Sequence, residues 1–179
     1  IARAKALQAE PGEGPVLLLD HSDNVMSGGT CDTMDVLQAA LKAQLSPILV
    51  GPICDPQAVQ RLWKLRPTDV VSAEIGNRIP LAQQGITKKP IRLTGVVRAK
   101  SDGEFTVSGP IYTGANVSMG RTVLFDTIDA LIVISERRIA SACGPPVVVP
   151  AVQSHQKRSQ SASAARPSTG LGASRCEGP

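Results

Sequence analysis

The sequence predicts an α/β fold, with a mixed sheet built from a β-α-β-α N-terminal part and a β-rich C-terminal part, followed by a disordered tail. Three observations carry this. Short, wholly apolar runs alternate with amphipathic segments up to about residue 65. From residue 69 the helical spacing stops, and five runs rich in β-branched residues follow, separated by turn signals. From residue 140 the chain turns to Ser, Ala, Arg, Pro and Gly with almost nothing to bury, a composition that does not offset its ordering entropy. The expected divisions are a lead-in segment over 1–14, a folded domain over 15–139 and a low-complexity tail over 140–179.

Residues 1–10 suit a short helix, stopped by Pro11-Gly12. Pro15 to Asp20 (PVLLLD) has the pattern of a strand buried on both faces. After a polar loop, Asp32 and Thr33 suit an N-cap, with Asp35 adding negative charge to the first turn. Val36, Leu37, Ala40, Leu41 and Leu45 then recur at helical spacing, and Ser46-Pro47 ends that helix. ILV at 48–50 reads as a second buried strand. Asp55-Pro56 opens the next helix, with Ala58, Val59, Leu62, Trp63 and Leu65 on its apolar side. Strand, helix, strand and helix in that order predict a right-handed parallel unit. VVSAEIG, IRLTGVVRA, EFTVSG, NVSMGRTVLF and ALIVIS are the five further strands, and Ser101-Asp102-Gly103 suits a hairpin turn.

Composition excludes several functions. The chain has 179 residues, 42% hydrophobic but only 2% aromatic, so it lacks the rings that single-stranded nucleic acid stacks upon. The net charge of +4 is concentrated behind residue 150, where four basic residues face one acid. The remainder is nearly neutral, and a nucleic-acid partner is not expected. No apolar run is long enough to span a membrane, and residues 1–15 lack a signal-peptide core, so a cytoplasmic location is expected. Cys31, Cys54, Cys143 and Cys176 form no CxxC pair, and His21 and His155 lie far apart; a structural zinc site is not expected, and the thiols read as free.

The chemistry-bearing stretch is DHSDNVMSGGTCD, residues 20–32. Asp20 falls at the end of an apolar run and ahead of a helix, where ligand sites of α/β sheets gather. Asp20 and Asp23 are suited to metal ligation, to orienting a metal-bound histidine or to proton transfer. Asn24 is able to donate to a substrate carbonyl, and Gly28 and Gly29 let backbone approach a ligand or take positive φ. The same residues are ordinary turn material, and Asp32 is explained as a cap. A phosphate cradle is disfavoured, because GxxxxGK[ST] and GxGxxG are absent and the carboxylates repel anions. Glu74, Asn116 and Arg137-Arg138 are lesser candidates, each equally at home on a surface.

These residues resemble the C-terminal domain of the microcystinase C (MlrC) family. The family pattern D-x-x-D-N-x-x-x-G-x-x-x-D appears as Asp20, Asp23, Asn24, Gly28 and Asp32. VGPICDPQAV (50–59), EIGNR (74–78), IRLTGVVRAKSDGEFTVSGPIYTGANVSMGRTVLF (91–125) and ALIVISERR (130–138) extend the likeness over roughly residues 14–139. The resemblance implies a zinc-dependent amide or peptide hydrolase whose zinc ligands lie in an N-terminal domain outside this sequence. It implies Asp20, Asp23 and Asn24 as supporting residues of the active-site loop, and Gly28 and Gly29 beside the substrate. No metal ligand is expected here, so the chain alone is expected to bind no zinc and to be inactive. The opening Ile and the abrupt change past Arg138 suggest a truncated or frame-shifted product. The alternative is a non-catalytic interaction domain that pairs with a separate N-terminal chain.

Overall fold

The computed structural model describes residues 1–8, 14–81, 85–108 and 112–138. The expectations placed on 140–179, including Cys143, His155 and Cys176, lie outside them.

Two fully buried strands form the centre. Strands β6 (Thr122–Thr127) and β7 (Ala130–Ser135) are buried along their whole length. They pair antiparallel, with Phe125 opposite Ile132. The turn between them is closed by Thr127, whose hydroxyl donates to the Ala130 carbonyl and accepts from its amide, both at 2.9 Å. Around this pair the sheet runs β1-β7-β6-β3-β2, with β1 spanning Ile48–Cys54, β2 Val70–Ile75 and β3 Ile91–Ser101. Only β1 with β7 is a parallel pair; the others are antiparallel. The mixed α/β class expected from sequence is what forms.

Helices α2 (Asp35–Lys42) and α3 (Pro56–Leu62) bury Leu37, Val59 and Leu62 against Ile53, Val97, Phe125 and Ile132. Full burial of each such side chain contributes about 1.5–3 kcal/mol. Helix α1 (Ala2–Gln8) sets Ala4 against Ala40 and Leu45, and its Lys5 ammonium donates to the Ala43 carbonyl at 2.9 Å. Asp55 caps α3 and Pro56 occupies its first turn, as expected. At the far end of α3, Trp63 lies within cation–π reach of Lys100 and Arg121.

Four expectations require correction. Pro15–Asp20 forms no strand: Val16, Leu17, Leu18 and Leu19 are 44%, 77%, 42% and 69% exposed. The neighbouring place in a parallel unit would be the free edge of β1. That edge carries Pro52, which has no N–H to offer, at the place where the pairing of β1 with β7 shifts register. It is also blocked near its end by Cys31, whose carbonyl accepts the Cys54 amide at 2.6 Å. Second, Asp32 and Thr33 do not cap α2; Met34 holds that position without a side-chain bond. Third, NVSMGRTVLF divides into β5 (Asn116–Ser118) and β6, because Gly120 turns the chain at φ 65°. Fourth, Ser101-Asp102-Gly103 is a turn but not a hairpin. It passes the chain from β3, which pairs with β6, to β4 (Glu104–Thr106), which pairs with β5 in a separate ribbon.

Among the described residues no helix is long and apolar enough to cross a membrane.

Candidate functional site

The loop from Asp20 to Thr33 is built around one carboxylate. Asp23 accepts four hydrogen bonds. Its Oδ1 takes the Thr30 hydroxyl at 2.9 Å and the Cys31 amide at 2.6 Å, and its Oδ2 takes the Thr33 amide at 2.8 Å and hydroxyl at 3.0 Å. The two ends of the loop are thereby tied together. Asn24 begins a 3₁₀ turn over Val25–Ser27, its Oδ1 accepting from the Met26 amide at 3.0 Å. Gly28 closes that turn at φ 85°, in left-handed backbone that favours glycine. Gly29 is needed for a different reason. A Cβ there would sit 2.7 Å from both the Asn24 nitrogen and the Asp23 carbonyl oxygen. Both glycines thus have a local backbone reason, in addition to whatever they do towards a ligand.

Asp20 stands at the rim. Its Oδ1 accepts the Ser22 amide at 3.0 Å and its Oδ2 the Thr33 hydroxyl at 3.4 Å. Burial raises its pKa. The Ser22 hydroxyl and amide, the Asp23 amide and the Thr33 hydroxyl outweigh that, so the carboxyl titrates below its ordinary value. A depressed folded-state pKa stabilises the fold above the unfolded value, and that contribution disappears as pH falls through the folded value. The carboxyl carbon of Asp20 should therefore show an NMR midpoint below that of an ordinary aspartate. Asp20→Asn should flatten the loss of stability on acidification in that window, and a midpoint above the ordinary value would contradict the hydrogen-bonding assignment.

Asp32 serves neither as a cap nor as a free carboxylate. It is 2% exposed, and its Oδ2 accepts the amides of Arg78 and Ile79 at 2.7 and 2.9 Å. Its carbonyl accepts the Asn77 amide at 2.6 Å. The turn at Gly76–Arg78 is held again by Asp55, fully buried. One Asp55 oxygen caps α3 at Ala58 (2.9 Å); the other takes the Gly76 amide (2.9 Å) and the Arg78 Nε (3.0 Å). Asn77 completes the seam, accepting from the Met34 amide at 3.2 Å and donating to the Lys89 carbonyl at 2.9 Å. Beside it lies a small depression lined by Asp32, Thr33, Asn77 and Lys88.

The structure thus gathers Asp20, Asp23, Asn24, Gly28 and Gly29 into one hydrogen-bonded loop. Sequence reading overlooked Asp55, Asn77 and Arg78 as its supports. The available signal was the EIGNR stretch, where Asn77 at φ 50° marks a turn with a side chain able to bond in two directions. Of the lesser candidates, Glu74 pairs with Arg92 at 2.9 Å on the surface, and that hydrogen bond holds its carboxyl below the ordinary range. Asn116 accepts the Thr106 hydroxyl within the β4–β5 ribbon, and Arg137 donates to the Ser118 hydroxyl.

The donor set among the described residues does not fit a zinc site. Among the described residues no three of His, Cys, Asp and Glu come together. Both oxygens of Asp23 already face N–H and O–H donors, and His21 lies exposed on its own. Cys31 and Cys54 are buried thiols, and burial pushes that of Cys54 upward against the opposing charge of Arg138.

The family model described as the MlrC C-terminus matches residues 18–143, well over half of the chain. The chain belongs to the MlrC C-terminal family. Microcystinase C of a Sphingomonas species is 32% identical over 124 residues, which is 69% of this chain and 23% of that protein. A solved structure from Mesorhizobium sp. BNC1, described provisionally as a metallopeptidase, superposes with a TM-score of 0.58 at 21% identity. It covers 66% of this chain and 23% of that one, and establishes likeness of fold. This MlrC C-terminal domain therefore spans about a quarter of the length of the relatives it matches.

Proposed function

We propose that this MlrC domain is the non-metal-binding part of a zinc-dependent amide or peptide hydrolase. Its Asp20–Thr33 loop forms one wall of an active site whose metal ligands another part of the protein provides. The observation that carries this reading is the Asp23 scaffold. Four hydrogen bonds and two backbone-constrained glycines hold the loop in one shape, although its apex reaches no core residue. A rigid loop on the rim of a sheet is what positioning of a substrate demands. Asp20 is placed to handle a proton, Asn24 to orient an amide through its side-chain nitrogen, and Gly28 and Gly29 to let substrate backbone approach.

The division of labour is supported by the mismatch between the family's relatives, one of them described as a metallopeptidase, and a donor set among the described residues that does not suit a metal. No step of hydrolysis is assigned to this domain alone. The test is calorimetric and enzymatic. The purified chain should take up no stoichiometric zinc and release no amine from linear peptides. Mixed with Sphingomonas microcystinase C from which the matched segment has been removed, it should restore zinc-dependent hydrolysis. Tight one-to-one zinc on the chain alone, or no hydrolysis from a mixture in which zinc is bound, would refute the proposal.

A further inference from the structure

We infer that Val16–Leu19 is a docking strand, which adds as a β-strand to an open sheet edge in the part of an MlrC protein outside the matched quarter. This deepens the divided-enzyme reading and rests on it. Four consecutive apolar residues lie outside any strand or helix, with exposures of 44%, 77%, 42% and 69%: the Leu17/Leu19 face is largely open and the Val16/Leu18 face a little more than half covered. Strand β7, of similarly apolar composition, is buried throughout. The main chain is equally unsatisfied. Among the described residues, no N–H or C=O of Val16–Leu19 finds a hydrogen-bond partner. A segment apolar on both faces and unpaired along its backbone has the composition of an inner strand and lacks its neighbours.

The occupant follows from what is at hand. The nearer edge of the domain's own sheet, β1, carries Pro52 and is met by Cys31. The family match begins at residue 18, within this segment, and about three quarters of each relative lies outside the match. The run thus stands where the family match begins. Strand addition would supply main-chain hydrogen bonds together with burial of both faces. It would also have a geometric effect. Asp20, the next residue, is bonded to Ser22 and Thr33, so docking of the strand would carry the Asp20–Thr33 loop to the docked edge.

The experiment uses the chain and Sphingomonas microcystinase C lacking the matched segment. Leu17→Lys/Leu19→Lys and, separately, Leu18→Pro alter side chains outside the core clusters, so each variant alone should keep the wild-type thermal midpoint. Binding to the remainder should weaken at least about 100-fold in the double-lysine variant. On binding, the wild-type amides of residues 16–19 should become protected from hydrogen exchange. Wild-type binding that is indifferent to all three substitutions, with no protection, would overturn the docking strand and leave the divided enzyme standing. Failure of the wild-type chain to bind the remainder would remove the divided enzyme itself. Leucine-dependent self-association of the chain alone would make the occupant a second copy, and so overturn the assignment.

Discussion

Asp55→Ala should destabilise the domain by about 3–5 kcal/mol, the range for breaking a buried charged pair by removing one partner. The residue is fully buried and answers three donors: the Ala58 and Gly76 amides and the Arg78 guanidinium. Its removal strips α3 of its cap, itself worth about 1 kcal/mol. It also leaves a buried amide unanswered and deprives Arg78 of its carboxylate. Because domains are stable by about 5–15 kcal/mol, the variant should lose a large share of its stability and unfold at a much lower urea concentration. Urea titration followed by far-ultraviolet circular dichroism measures the loss. Asp55→Asn, which retains acceptor capacity for the cap but not the ion pair, should fall between the two. A loss below about 1 kcal/mol for the alanine variant would mean that water replaces the carboxylate, and the seam would not be held as described.

Asp23→Ala should have a smaller global effect and a larger local one. Four donors lose their acceptor, two of them hydroxyls able to turn to water and two of them part-buried amides. A loss of about 2–3 kcal/mol is expected. Hydrogen exchange at the Cys31 and Thr33 amides should accelerate well beyond that of β6 and β7, as the loop opens without the sheet. In an assembled enzyme the same change should depress kcat/KM far more than the stability loss alone would, because a displaced wall no longer positions substrate. Uniform acceleration across the domain would instead identify Asp23 as a support of the fold in general.

Much of this architecture is legible from residues. The five runs after residue 69 become strands because an alternating or wholly apolar stretch between turn residues has few other ways to bury itself. The Asp55-Pro56 helix start is legible too, since a cap and its helix are neighbours in sequence. The misread features are those whose partners lie far away. Asp32 looks like a cap by local grammar, yet its acceptor oxygen is claimed by amides 46 and 47 residues on. The PVLLLD run carries the composition of a buried strand, but composition does not say which chain buries it. The Gly120 break in NVSMGRTVLF depends on a left-handed turn, where a glycine in a strand pattern is equally compatible with a bulge. For the site, the acids and glycines of residues 20–32 stood out as a group. Which oxygen each acid offers, and to whom, required the fold.

Those distant ties bear on how the loop comes into being during synthesis. A ribosome adds about 5–20 residues per second. After Asp32 has been made, its acceptors wait about 2–9 seconds for Arg78 and Ile79 to appear. The Asp20–Thr33 loop is therefore among the later parts of the chain to be secured, well after its own residues have left the exit tunnel. Until then, four bare apolar residues and an unanchored acidic loop travel together at the front of the nascent domain, within reach of any chaperone that recognises exposed leucine.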